Sequence, residues 1–211
     1  MKRLLAVCLS VVFFAATTFL SVAAASNRVI ERIHLAVDSC NVRVERSDNN
    51  QFEYIYDLQK YALTTFRLNE TLIIEVAKTT NTVGLMDMVV IRIPANDYEK
   101  ISVHSTRSGI ALPAGINAHF KIVNDGGSVS LAIANGFSGS VELDCLNGSG
   151  ALVFDQDATN YTLTVHPKAS AITADFPNFI PNRPYIYAAG DGTVVIALNI
   201  EGSSFSIGSK K

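Results

Sequence analysis

The feature that most constrains this chain is a recurrence. Two short strand-like segments joined by a small-residue corner return about every twenty residues through its second half. The best-defined copy lies in Val89–Leu112, VVIRIPANDYEKISVHSTRSGIAL. It has an apolar strand ending at Pro94, a polar turn from Ala95 to Lys100, a second strand, and a Ser108-Gly109 corner into a third. Ile101 and Val103 lead to that corner and Ile110-Ala111-Leu112. Phe120 and Ile122 lead to Gly127-Ser128 and Val129-Ser130-Leu131. Val141 and Leu143 lead to Ser149-Gly150 and Ala151-Leu152-Val153. Tyr161 and Leu163 lead to Ala169-Ser170 and Ala171-Ile172; Tyr185 and Tyr187 lead to Gly192-Thr193 and Val194-Val195-Ile196. The unit starts lie 19, 21, 20 and 24 residues apart. One such unit cannot bury its own apolar face, but units stacked at the ~4.8 Å strand spacing build a continuous core. The expectation is an all-β chain, a single-stranded β-solenoid or β-roll of ~20-residue repeats. An antiparallel β-sandwich with a hairpin every ten residues predicts the same strands and stands as the alternative.

The segment before the repeats, residues 29–80, reads as strands and a hairpin. Ile33 to Val37 and Val42 to Glu45 alternate apolar and polar, with a turn between them at Asp38 to Asn41. Phe52, Tyr54 and Tyr56 share one face. Phe66 to Leu68 and Leu72 to Val76 flank a two-residue loop, Asn69-Glu70. Thr79 to Met88 is less regular and reads as a surface loop carrying Val83, Leu85, Met86 and Met88. In the last repeat Phe176 to Pro184 (FPNFIPNRP) holds three of the six prolines, so it must bulge out as a loop. Phe205 to Ile207 reads as a short strand capping the end of the stack.

Residues 1–25 stand apart. Lys2 and Arg3 precede an uncharged apolar run, Leu4 to Val22, and Ala23-Ala24-Ala25 supplies the small residues that signal peptidase needs. The expectation is a signal peptide cleaved between Ala25 and Ser26, leaving one β-repeat domain over residues 26–211, with coils across 89–208; an uncleaved membrane anchor is the alternative, since the apolar run approaches spanning length. No second apolar run long enough to span a membrane follows. Loss of Lys2 and Arg3 leaves 15 basic residues against 19 acidic ones, with no basic cluster. Neither a nucleic-acid role nor binding to an anionic membrane surface has electrostatic support. Cys8 leaves with the signal. Cys40 and Cys145 remain, and in an oxidising compartment they permit one disulfide; two separately buried thiols are the alternative.

A search for chemistry yields little, and the expectation is a non-enzymatic protein with no catalytic residue, no cofactor and no metal site. Asp155 and Asp157 form a close acidic pair of the kind a carbohydrate-active β-solenoid would need, but FDQDATN also has the composition of a polar turn. His34, His104, His119 and His166 fall at different phases of the repeat, without metal-ligand spacing. Asn147-Gly148-Ser149-Gly150 lacks the spacing of a nucleophile elbow. Asn69, Asn147 and Asn160 head sequons that matter only in a eukaryotic secretory pathway. Arg92, Arg107, Tyr54, Tyr56, Tyr61, Tyr185 and Tyr187 have the chemistry to line a glycan-binding face, but also that of core filling and end caps.

The isoleucine-proline strand end, the turn, the KISVHSTRSGIAL segment and the glycine- and serine-cornered strands that follow resemble the DUF4097 family. That family comprises exported or membrane-attached bacterial proteins regarded as candidate adhesins. The resemblance runs from about Val29 to Ile207 and is most specific over Val89–Leu112. It implies a right-handed single-chain β-solenoid or β-roll, an envelope or extracellular setting, and no agreed active site. The functional expectation is an exported scaffold or adhesin whose partner is a surface polymer or an envelope protein. An envelope-stress sensor that binds a peptide or envelope protein is the alternative.

Overall fold

A computed structural model describes residues 29–80, 88–113, 115–155 and 160–209. The described residues contain no helix and 17 strands. In chain order these are β1 (Arg32–Asp38), β2 (Asn41–Arg46), β3 (Glu53–Ile55), β4 (Tyr61–Leu68), β5 (Thr71–Lys78), β6 (Val89–Ile93), β7 (Lys100–Thr106), β8 (Gly109–Leu112) and β9 (His119–Asp125). They continue as β10 (Ser128–Ile133), β11 (Ser140–Leu146), β12 (Ser149–Phe154), β13 (Tyr161–Lys168), β14 (Ala171–Ala174), β15 (Tyr185–Ala189), β16 (Val194–Glu201) and β17 (Ser204–Ser209). A nine-stranded sheet has the order β15-β13-β16-β11-β9-β7-β1-β5-β4. An eight-stranded sheet has the order β14-β17-β12-β10-β8-β2-β6-β3. The two sheets are not closed into a barrel.

Each rung of the molecule is one strand of the larger sheet and the strand of the smaller sheet that follows it in the chain. Seven rungs stack in the order β5–β6, β1–β2, β7–β8, β9–β10, β11–β12, β16–β17 and β13–β14. Neighbouring rungs pair in parallel and in register, so equivalent side chains form ladders along the stack. Leu72, Ile33, Ile101, Phe120, Val141, Ile196 and Leu163 form one ladder, and Ile74, Leu35, Val103, Ile122, Leu143, Leu198 and Val165 the next. Both are buried throughout and belong to one core shared by the two sheets. The outward residues between them are polar or small except for Ile73, which is why the sequence alternates.

Of the pairings, 12 are parallel and three antiparallel. This rules out the alternating hairpins of the sandwich alternative. The antiparallel strands sit only at the ends of the stack. β4 covers β5 and β3 covers β6 at one end, and β15 covers β13 at the other.

Relative to the sequence reading, the corner between sheets lies one residue earlier in the units of Ile101 and Phe120, two residues earlier in that of Val141, and where expected in that of Leu163. It is a left-handed residue followed by a small one: Ser39-Cys40, Arg107-Ser108, Gly126-Gly127, Asn147-Gly148, Ala169-Ser170 and Gly202-Ser203. In every case the left-handed residue follows the first ladder residue by six positions. The small residue is a packing necessity: a Cβ on Gly127 would lie 1.9 Å from the carbonyl oxygen of Ser108 in the next rung.

Two assignments require correction. Tyr185–Ala189 does not start a fifth repeat; it is the antiparallel cap strand β15, and Gly192-Thr193 leads into β16, the first strand of the last rung. Phe205-Ser206-Ile207 is not an end cap either, since it lies in β17, the second strand of that rung. Of the two readings of the cysteines, the structure has the separately buried thiols: Cys40 and Cys145 are both free and buried. Three steps of the stack separate their rungs, roughly 14 Å at the strand spacing, twice what a disulfide spans. The Ala25–Ser26 cleavage site, Asp157 and the loop residues Val83, Leu85 and Met86 lie outside the described residues.

Candidate functional site

Inside the corner edge of the stack, the third inward ladder turns polar in its middle rungs, where Ser105, Asn124 and Cys145 lie fully buried. Ser105 Oγ donates to Asn124 Oδ1 at 2.7 Å, and Asn124 Nδ2 points at Cys145 Sγ at 3.8 Å. Beside them Ser203 Oγ accepts from Gly148 N at 3.0 Å and lies 3.1 Å from the carbonyl of Cys145. Ser170 Oγ lies 2.8 Å from the carbonyl of Ile200 in the next rung. Every buried side-chain nitrogen and oxygen among the described residues has a partner. This network ties the corners of successive rungs together, and its sealed position keeps it from acting on a ligand. Alternation along β7, β9 and β11 places Ser105, Asn124 and Cys145 inward, a signal the sequence carries once the register is known.

The histidines do not converge. All four lie on the outer face of the nine-stranded sheet, on β1, β7, β9 and β13. No group of three metal-binding side chains gathers among the described residues. Asp155 follows β12 directly, and its proposed mate Asp157 is outside the described residues. Asn69, Asn147 and Asn160 sit exposed in turns.

The tyrosines and arginines offered for glycan binding are scattered. Tyr61 is buried, and Tyr54 and Tyr56 pack on the core near the β3–β4 end. Burial pushes the Tyr54 hydroxyl up to about 12. Tyr185 and Tyr187 lie at the opposite end, within an aromatic cluster of Phe176, Phe179, Tyr161 and Phe154. That cluster shows what the proline-rich loop does: it folds back so that Pro177 O accepts from the Tyr185 hydroxyl at 2.8 Å, and it covers the end of the core. Arg92 is clamped between Glu45 and Glu53 at 3.2 and 3.1 Å, and Arg107 lies 3.0 Å from Asp38. Arg107 also holds the Asp38 carboxyl below its usual range.

Among the described residues, the outer face of the eight-stranded sheet is a continuous surface of distinct character. One ladder there runs Asn41, Gly109, Ser128, Ser149, Ser204, Ala171; the next runs Arg43, Ala111, Ser130, Ala151, Ser206, Thr173. From Gly109 to Ser206 these rows contain nothing larger than serine and no charge. They form the floor of a shallow open groove of about 460 Å³, with Arg43 and Met88 at one end and Thr173 towards the other. The serines are exposed, and in the first row the hydroxyls of Ser128, Ser149 and Ser204 repeat at the ~4.8 Å rung spacing. The opposite outer face is charged, with ion pairs between Lys121 and Glu142 and between Lys168 and Glu201. Chemically, the small-residue face can let an extended chain approach closely and exchange hydrogen bonds along its length.

No family model matches the sequence, and no curated protein matches it significantly. Among solved structures, a candidate cell adhesion protein from Clostridium sporogenes ATCC 15579 superposes with a TM-score of 0.62 at 14% identity, covering 85% of this chain and 93% of that one. A candidate adhesin from Bacteroides fragilis NCTC 9343 aligns over 87% of this chain and 93% of its own, at 11% identity and a TM-score of 0.36. The first likeness establishes a shared fold.

Proposed function

We propose that this protein is an exported, non-enzymatic surface-contact protein of the adhesin type, built as a β-solenoid. On this reading the mature chain begins at Ser26 and works outside the cytoplasm. The observation that carries the proposal is the uncharged serine, alanine and glycine face spanning four consecutive rungs of the smaller sheet. The described fold neighbour from Clostridium sporogenes is itself a candidate cell adhesion protein, which supports the same direction. Parallel in-register stacking supports the solenoid reading, because it makes the face stiff and regular over its whole length. Affinity then comes from many weak, evenly spaced contacts with an extended polymer of the cell surface, summed along the groove.

The test is retention of residues 26–211 on isolated cell walls and on host glycans, beside the double variant Ser130→Arg, Ser206→Arg. Arginines at these exposed positions fill the groove without entering the core. The expected result is saturable retention that persists at high salt and falls at least tenfold in the variant. Absence of retention on every polymer, with one envelope protein co-purifying instead, would overturn the proposal in favour of a sensor or regulatory role.

A further inference from the structure

The rung that the chain makes last is not the last rung of the stack. β16–β17 lies between β11–β12 and β13–β14, with parallel partners on both sides in both sheets. The cap formed by β13, β14 and β15 pairs with the rest of the molecule only through β16 and β17. Without that strand pair, the stack ends on β11 and β12, and β13 and β14 lose their parallel partners. The slot it fills is specific: Val194, Ile196, Leu198 and Ile200 enter from β16 and Phe205 and Ile207 from β17, none more than 6% exposed. The strand pair is joined to the cap through the exposed turn Gly190-Asp191-Gly192-Thr193, whose two glycines both adopt positive φ. It is therefore an element held from both sides on a short glycine hinge, and an identical element from another molecule satisfies every one of its pairings.

We propose that the slot between β11–β12 and β13–β14 is an interaction site for a strand pair in trans, and that two copies of this chain exchange β16–β17 through it. The partner is a second copy of the same chain, contributing residues 194–209. Such an exchange adds no new interface to evolve, since all core ladders and hydrogen bonds are those of the closed monomer. It would link surface-contact faces of separate molecules without a disulfide, but it does not depend on the proposed function.

The test uses full-length chains. Thr164 on β13 and Ala197 on β16 are outward-facing register partners, at a spacing a disulfide accepts. The double variant T164C/A197C gives an intramolecular bond and establishes the geometry. Single variants T164C and A197C are then refolded together at high concentration, oxidised and run without reductant. Exchange yields a covalent heterodimer in at least fivefold excess over a T164C and K121C mixture, whose positions are not partners. Heterodimer no more abundant than in that control, while the double variant bonds within the monomer, overturns the exchange. Failure of the double variant to bond overturns the slot itself.

Discussion

The middle of this stack and its two ends are built from the same sequence pattern but follow different rules. Through the middle, β7–β8, β9–β10 and β11–β12 follow one another in space as they do in the chain, and a corner ends each first strand. At either end the order breaks. The first rung, β1–β2, is enclosed by β5–β6, and the last, β16–β17, by β13–β14. Both ends then finish on antiparallel strands backed by aromatic side chains. The difference shows what periodicity can specify. A repeat fixes what a rung looks like, because alternation and corner chemistry are local. It leaves open which rung lies on which, because every rung presents an equivalent edge. The ends are where that freedom is resolved, since an open stack would leave long strand edges exposed to other chains.

Core truncation sharpens the comparison most. Leu143 in the middle and Leu198 in the enclosed last rung are both fully buried, and replacing either with alanine should cost about 2–5 kcal/mol. The two should differ in shape of unfolding. Leu143→Ala lowers one cooperative transition, whereas Leu198→Ala loosens the strand pairing that carries the β13–β15 cap, giving an earlier melting phase seen by hydrogen exchange in residues 161–189. Next comes Gly127→Ala in the middle corner. Its new methyl meets backbone of the adjacent rung, so a loss of about 1–3 kcal/mol is expected in denaturant titration.

A smaller effect at the first rung is read through pH. Burial pushes the Cys40 thiol from 9.0 up to about 11. A raised pKa in the folded state stabilises the protein fully below pH 9, and this contribution is lost as the pH rises through 9 towards 11. The denaturation midpoint should fall across that window, and Cys40→Ala should remove that part of the slope. Neither thiol should react with an alkylating reagent at pH 8 until the chain is unfolded. Smallest of all, Lys168→Ala removes an ion pair with Glu201 between two largely exposed side chains and should change stability by less than about 0.5 kcal/mol.

Much of this was legible from the residues. The strands around Ile101, Phe120, Val141 and Leu163, the Asn69-Glu70 hairpin turn and the proline-rich loop are all encoded within a few positions. The enclosed rungs were not, because Val194-Val195-Ile196 has the alternation of either strand of a rung. What tells them apart is Gly202-Ser203, six residues after Ile196, the interval that separates Ile101 from Arg107. The small-residue face was visible only in part. Ser128, Ser130, Ala151 and Ser206 look like ordinary outward positions until the register lines them up. Cys40 and Cys145 allowed a disulfide on counting alone, and only the stacking order separates them.

The order of rungs is the central claim, and disulfide mapping within single chains tests it most directly. Glu142, Ala197 and Thr164 occupy equivalent outward positions on β11, β16 and β13. The three pairwise cysteine double variants, oxidised as dilute monomers, report which rungs are neighbours. The structure predicts bonds for E142C/A197C and T164C/A197C and none for E142C/T164C. A bond in E142C/T164C, with none in E142C/A197C, would mean that the rungs stack in chain order and would contradict the account.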